Sequence, residues 1–156
     1  MEIRRAVPGE AGSLAALWLR SRAASYPSIP RTVHSGEEVH RWFEDVVLPT
    51  CEVWVADRGG HVRALMVLDH EWIDQLYVDP ALTGRGIGGA LLDRAMRQRP
   101  TGLKLWTFQS NLEARRFYEA RGFVATAMTA GDNEEKFPDV CYEWQPDLAT
   151  QLPAIR

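Results

Sequence analysis

The first fifty positions alternate between apolar and polar residues in a way that predicts one strand and two helices. Residues 2–6 read as a short strand, which Pro8 ends. Apolar side chains then recur at helical spacing: Ala11, Leu14, Ala15, Leu17 and Trp18. Residues 26–30 contain two prolines and separate this helix from the next. Ser35, with Glu38 three residues later, forms the capping-box pattern that opens a second amphipathic helix ending before Pro49.

The middle of the chain changes to the two-residue period of β-strands. Three segments either alternate between apolar and polar side chains or form continuous apolar runs, as β-strands do: residues 52–56, 61–68 and 72–78. The turn sequences 57–60 and 69–70 join them closely enough for an antiparallel meander.

The last third returns to alternating helices and strands. We expect helices over residues 86–99 and 111–121, the second N-capped by Asn111 and stopped by Gly122, and strands over 103–108, 123–128 and 140–144. The order is βααβββαβαββ, which predicts a mixed α/β sheet with an antiparallel meander followed by a parallel crossover. We expect one layer of sheet with helices on both faces, in a single domain over residues 1–156.

Composition narrows the functional classes. The chain has 156 residues and a net charge of −3, which argues against nucleic-acid binding as its main role. No apolar run is long enough for a membrane span, and the first residues lack the pattern of a signal peptide. We expect Cys51 and Cys141 to be free thiols in a cytoplasmic protein, and the four histidines show no metal-binding spacing.

The strongest chemical feature is a glycine-rich loop between a strand and a helix. Four glycines fall within six residues, 84–89, where the predicted helix begins. The first amides of a helix have no intrahelical partner, and the helix dipole adds positive charge there. Glycines let an anion approach the backbone, and Arg85 adds a cation, so the loop is typical of a phosphate-binding site.

Other interpretations of this loop are a plain connection, a dinucleotide fingerprint and a P-loop. A plain connection would need fewer glycines. Gly84, Gly86 and Gly89 match G-x-G-x-x-G, but residues 103–111 contain no acidic residue to hold a ribose. The fingerprint normally opens its domain, whereas here two helices and a meander precede it. No Lys-Ser or Lys-Thr follows the glycines, which excludes a P-loop.

The loop and its surroundings resemble the GCN5-related N-acetyltransferase (GNAT) superfamily. The residues that carry the resemblance are Leu76-Tyr77-Val78-Asp79-Pro80, Gly84-Arg85-Gly86-Ile87-Gly88 and Leu91-Leu92, then Asn111, Ala114, Phe117-Tyr118-Glu119 and Gly122-Phe123. One departure is Thr83, where the family commonly has Gln or Arg. The family makes that contact largely through the backbone, so the implied cofactor is unchanged.

The resemblance implies transfer of an acetyl group from acetyl-CoA to a primary amine, without a metal. The backbone of residues 76–78 would face the acetyl and pantetheine portion, and that of residues 85–89 the diphosphate. Asn111 and Tyr118 match positions near the pantetheine and the thioester sulfur. The implied cofactor-binding set is Leu76, Tyr77, Val78, Thr83, Gly84, Arg85, Gly86, Ile87, Gly88, Gly89, Asn111 and Tyr118.

The residues themselves support an acid role for Tyr118. Asn111 and Tyr118 are seven positions apart, so they share one helical face. A phenol with a pKa of about 10 is protonated at neutral pH and can give its proton to a departing thiolate with a pKa of about 8.5.

A base that removes a proton from the amine is sought near the third meander strand. We favour Glu71, with Asp74, Asp69 and His70 as alternatives. Strict alternation would place Trp72, Asp74 and Leu76 on one face and Ile73, Gln75 and Tyr77 on the other. Trp72, Asp74 and Tyr26 are candidates for the acceptor pocket.

Three functional hypotheses follow. The first is an N-acetyltransferase working by direct attack in a ternary complex, since no activated nucleophile is evident. The second is a catalytically silent CoA-binding regulatory module, and the third a dinucleotide-binding oxidoreductase. The expected partner is a small-molecule or peptide amine, with no nucleic acid and no membrane, and a homodimer is a further expectation.

Overall fold

Seven strands and four helices make up the chain over residues 1–146, which are the residues that the computed structural model describes. The strands are β1 (Glu2–Arg5), β2 (Glu52–Arg58), β3 (His61–Asp69), β4 (Trp72–Val78), β5 (Leu103–Phe108), β6 (Val124–Thr129) and β7 (Asp139–Trp144). The helices are α1 (Ala11–Ala24), α2 (Gly36–Trp42), α3 (Ile87–Gln98) and α4 (Leu112–Glu119). The last ten residues of the predicted domain lie outside this description.

All seven strands form one sheet in the order β1-β2-β3-β4-β5-β7-β6. Neighbouring strands are antiparallel except β4 and β5, which are parallel. Helix α3 makes the crossover between these two strands, as parallel pairing requires. The predicted meander followed by a parallel crossover is therefore confirmed.

Helices cover both faces of the sheet, so the core has two parts. On one face Leu91 and Leu92 of α3 pack with Met66 and Leu105. On the other face α1 and the helix after residue 35 bury a second cluster, which includes Leu14, Leu17, Phe43, Val55 and Leu65. The longest helix has fourteen residues, and no helix within residues 1–146 is long and apolar enough to cross a membrane.

Most helix ends follow the capping signals of the sequence. Ser35 and Glu38 form the reciprocal capping box, and Gly122 has a φ of 91° after α4. The sequence predicts that the second helix ends before Pro49, but helical backbone continues through this proline to Thr50. After Trp42 the chain continues through a π-helical segment (Phe43–Val47) into a last turn (Leu48–Thr50) that contains the proline. Proline is accepted there because it lies in the first turn of that short segment, where its missing N–H costs little.

A bulge in β4 overturns the predicted alternation of that strand. Val67 pairs with Gln75 and Leu68 with Ile73, so Asp74 is an extra residue between the two pairs. Ile73 consequently packs in the same core cluster as Leu76, whereas Tyr77 packs in the cluster on the opposite face. The prediction that Ile73 and Tyr77 share a face is wrong, because a bulge shifts the period by one residue.

Candidate active site

A cleft of about 880 Å³ opens between the two parallel strands. Strands β4 and β5 pair at one register position, Trp72 with Lys104, where the Lys104 amide donates to the Glu71 carbonyl at 2.9 Å. Beyond this point the strands separate. The edge of β4 from Ile73 onward therefore faces the cleft, with backbone amides and carbonyls available to a ligand.

Asp79 anchors the loop that follows β4. Its Oδ1 accepts from the Ala81 amide at 3.0 Å, and its Oδ2 accepts from Arg63 at 3.2 Å and Arg20 at 3.4 Å. These donors, the Ala81 amide first, hold the pKa of Asp79 below its ordinary value. Asp79 is only 5% exposed. Its hydrogen bonds therefore fix, inside the protein, the point where the chain leaves the sheet and enters the glycine loop.

The glycine loop presents open space at the start of α3. Gly84 and Gly86 have φ values of 77° and 81°, and Gly86 is the residue before the helix. A Cβ added at either glycine would meet nothing within 4 Å. The free amides of the first turn of α3 therefore border an open part of the cleft, which fits a bound phosphate group.

Helix α4 supplies the opposite wall of the cleft. Asn111 caps it, with its side-chain oxygen accepting from the Ala114 amide at 3.2 Å. Asn111 therefore has its carboxamide oxygen engaged in the helix while the residue lines the cleft.

Tyr118 reaches the cleft from within the core. Its ring packs edge-on against Phe117 and Phe123, at centroid distances of 5.1 and 5.5 Å, and the residue is 7% exposed. Burial, with a smaller contribution from Tyr77, raises the pKa of Tyr118 well above its ordinary value. Within residues 1–146 its hydroxyl has no hydrogen-bond partner, so the proton is free for a ligand in the cleft.

The bulge residue Asp74 lies in the wall of the cleft on β4. Although Asp74 is exposed toward the open cleft, partial desolvation of its carboxyl group raises the pKa, and the nearby Asp69 carboxylate acts in the same direction, whereas a hydrogen bond from Gln75 opposes them. An acid with a raised pKa is a stronger proton acceptor when ionised, which suits a base.

A buried arginine of α1 packs against the cleft residue Phe108 without lining the cleft itself. Arg22 is 7% exposed, and its Nη2 donates to the Pro30 carbonyl at 3.2 Å and to Glu135 at 3.4 Å. Its guanidinium lies 4.8 Å from the Trp18 ring centroid and 5.9 Å from that of Phe108. The residue thus joins α1 to the segment before α2, to β5 and to the β6–β7 loop.

The structure brings most of the predicted cofactor residues together along the cleft. The lining residues from that set are Leu76, Tyr77, Val78, Thr83, Gly84, Gly86, Ile87, Gly88, Gly89, Asn111 and Tyr118, joined by the acceptor candidate Asp74. Arg85 is exposed in the loop and is not part of this lining.

Three predicted residues lie elsewhere. Glu71 is exposed before β4 and lines a separate depression of about 150 Å³ with Lys104 and Glu143. Trp72 lies under the Lys104 ammonium, 5.8 Å from the ring centroid to Nζ. Tyr26 is exposed and has the Arg31 guanidinium stacked on its ring at 4.6 Å. The structure therefore does not bring Glu71, Trp72 or Tyr26 to the cleft.

Sequence reasoning missed Arg22 and Arg121. Arg121 lines the cleft beside the first turn of α3, and a Cβ at Gly89 would overlap its guanidinium. Gly89 lacks a side chain although it lies inside α3, and this was the available signal for a close neighbour. Arg22 gave no local signal. Both cysteines are free thiols as predicted, and residues 1–146 contain no group of three metal-ligating side chains.

Comparisons with known proteins agree with this geometry. The model of the acetyltransferase (GNAT) domain matches residues 49–125. YjaB of Salmonella typhimurium, named a peptidyl-lysine N-acetyltransferase, is 32% identical over 85% of this chain and 90% of its own length. YjaB of Escherichia coli, with the same name, is 30% identical over 85% of this chain and 88% of its own length.

Solved structures show the same fold. The solution structure of apo YjaB from Escherichia coli has a TM-score of 0.74 and 26% identity, covering 92% of this chain and 96% of that one. YncA from Salmonella typhimurium, solved with its cofactor acetyl-CoA, has a TM-score of 0.69 and 20% identity, covering 92% of each chain. At 20% identity, the similarity to YncA shows a shared fold alone.

Proposed function

The chain belongs to the GNAT acetyltransferase family, and on that premise we propose that it transfers the acetyl group of acetyl-CoA to the side-chain amine of a lysine in a protein. The observation that carries the proposal is the cleft between β4 and β5, which runs from the glycine loop past Tyr118 to Asp74. The names of the two YjaB relatives support lysine as the acceptor.

The donor would be held mainly by backbone groups. The open space above Gly84 and Gly86 accommodates a diphosphate against the first amides of α3. The cleft-facing edge of β4 at Leu76 and Tyr77 would hydrogen-bond the pantetheine arm, as a strand does, whereas the Val78 carbonyl already accepts from the Ser21 hydroxyl at 3.2 Å. When bound, acetyl-CoA supplies a thioester whose carbonyl accepts the amine and whose sulfur leaves as a thiolate.

Direct attack by the amine fits the state of the cysteines. Burial raises the pKa of both Cys51 and Cys141, so both remain protonated thiols, and neither lines the cleft. With no activated nucleophile there, the amine and acetyl-CoA would be bound together and the acetyl group would pass between them in one complex.

Tyr118 would act as the general acid. Its raised pKa keeps the hydroxyl protonated at physiological pH, and its proton would go to the leaving thiolate as the carbon–sulfur bond breaks. The aromatic ring contacts hold the hydroxyl in place without using its hydrogen-bonding capacity. The phenolate would then regain a proton, through water in the cleft, from the nitrogen that has become acetylated.

Asp74 is the base that we propose. A lysine amine with a pKa of about 10.4 arrives as an ammonium and must lose a proton before it attacks. Asp74 lies in the cleft, whereas Glu71 lies outside it, so Asp74 can accept that proton directly or through one water. The carboxylate also attracts the cationic acceptor.

The direct test is acetylation of a lysine peptide by the purified protein with acetyl-CoA, followed by mass spectrometry and release of the CoA thiol. We expect modification of the lysine amine. Binding of acetyl-CoA without acetylation of any amine in a broad panel would contradict the proposal and support a silent CoA-binding module. Binding of NAD(P) in place of acetyl-CoA would support an oxidoreductase.

A further inference from the structure

Arg121 places a cation beside the start of α3, in a position that only a glycine on that helix permits. Gly89 lies in the first turn of α3, and the Arg121 guanidinium occupies the volume that a Cβ there would fill. Any other residue at position 89 would displace this guanidinium.

The contacts of Arg121 fix its orientation and leave donors free. Its Nη1 bonds the Asp93 carboxylate at 3.2 Å, and its guanidinium carbon lies 5.2 Å from the Phe117 ring centroid. The side chain is 35% exposed and belongs to the cleft lining. Asp93 is itself more than half exposed, so this pair neutralises Arg121 weakly.

We propose that Arg121 binds the ribose 3′-phosphate of CoA and makes the protein select donors that carry it. The inference rests on the proposed function. CoA carries a diphosphate and a separate 3′-phosphate monoester. The first amides of α3 offer a site for the diphosphate, and the Arg121 guanidinium lies beside Gly89, bonded to Asp93 one turn further along α3. A guanidinium suits a phosphate monoester because it can donate two parallel hydrogen bonds.

The experiment measures the dissociation constants of CoA and 3′-dephospho-CoA by titration calorimetry. The variants are Arg121→Gln and Arg121→Lys, and the control is Arg97→Gln, which removes an exposed arginine of α3. Thermal melting verifies that each variant is folded.

The wild-type protein should bind CoA roughly tenfold or more tightly than 3′-dephospho-CoA. Arg121→Gln should reduce this ratio to about one by weakening CoA alone. Arg121→Lys should keep part of the ratio, since the charge remains, and Arg97→Gln should keep all of it.

Equal binding of the two ligands by the wild-type protein would overturn the inference and leave the proposed function standing. So would equal weakening of both by Arg121→Gln, because Arg121 would then act on the diphosphate. Failure of the wild-type protein to bind either ligand would overturn the proposed function, and the inference with it.

Discussion

The two ends of the cleft are built in different ways. The end that we propose binds the donor consists of one continuous segment, in which β4, the glycine loop and α3 follow each other along the chain. The end proposed for the acceptor depends on side chains from separate elements. Asp74 of β4 lines the cleft, and Arg22 of α1, which pairs with Glu135 of the β6–β7 loop, packs against the lining residue Phe108 without lining the cleft itself. Backbone amides dominate the first and ionisable side chains the second. The difference implies that substitutions at the two ends should affect different kinetic constants.

The largest expected effect lies between the two ends, at Tyr118. Tyr118→Phe should lower kcat on the order of 10³-fold, because the leaving thiolate loses its proton donor. The dissociation constant of acetyl-CoA should stay within about twofold, since the ring packing is kept. Stopped-flow detection of the CoA thiol and calorimetry measure the two quantities. An unchanged kcat would remove Tyr118 from the mechanism.

The next effect should appear at the acceptor end and depend on pH. The carboxylate of Asp74 is the active form, so kcat/KM should fall as the pH falls through the raised pKa of this group. Asp74→Asn should lower kcat/KM on the order of 10²-fold and abolish that acidic limb.

Glu71→Gln is the matched control, because Glu71 belongs to the same part of the chain but lies outside the cleft. It should leave the pH profile of kcat/KM unchanged. A lost acidic limb in Glu71→Gln, together with a normal profile in Asp74→Asn, would return the base role to Glu71.

A smaller effect is expected at the donor end. Gly86→Ala forces a side chain into a φ of 81°, at a cost of about 1–2 kcal/mol, and moves the first amides of α3. The dissociation constant of acetyl-CoA should rise about tenfold, while the acceptor KM measured at saturating acetyl-CoA stays constant. Gly9→Ala, at a glycine without positive φ, is the control. Equal acetyl-CoA affinities in the two variants would argue against an amide-built donor site.

Arg22 should show the reverse pattern. Arg22→Met removes the bonds to Pro30 and Glu135, so the acceptor KM should rise about fivefold while acetyl-CoA affinity is kept. Arg22→Lys should be intermediate, because the charge remains but the planar fork is lost. A change confined to acetyl-CoA affinity would contradict the division between the ends.

The smallest effect concerns the anchor of the glycine loop. Asp79→Ala should reduce the free energy of unfolding by about 1 kcal/mol, as loss of a capping carboxylate does. Because the pKa of Asp79 is lowered in the folded protein, its stabilisation is present above its unfolded value of about 3.9 and is lost as the pH falls through the folded value. The free energies of unfolding at pH 7 and pH 3, measured by denaturant titration, should therefore differ less in Asp79→Ala than in the wild-type protein.

The same contrast explains what the sequence could predict. The cleft lining at the proposed donor end could be predicted because its signals are local: the glycines, the Asn111 cap and the seven-residue spacing to Tyr118. At the acceptor end the limits of β4 were correct, but its bulge was not foreseeable from alternation, since it depends on the register with β3. Arg22 and Glu135 meet across 113 positions of sequence, and no local pattern indicates such a pair.

The most direct test of the account is a crystal structure with acetyl-CoA bound. The expected result has the diphosphate oxygens within hydrogen-bonding distance of the amides at the start of α3, and the thioester sulfur beside the Tyr118 hydroxyl. A diphosphate bound away from residues 84–89, or a thioester out of reach of Tyr118, would contradict it.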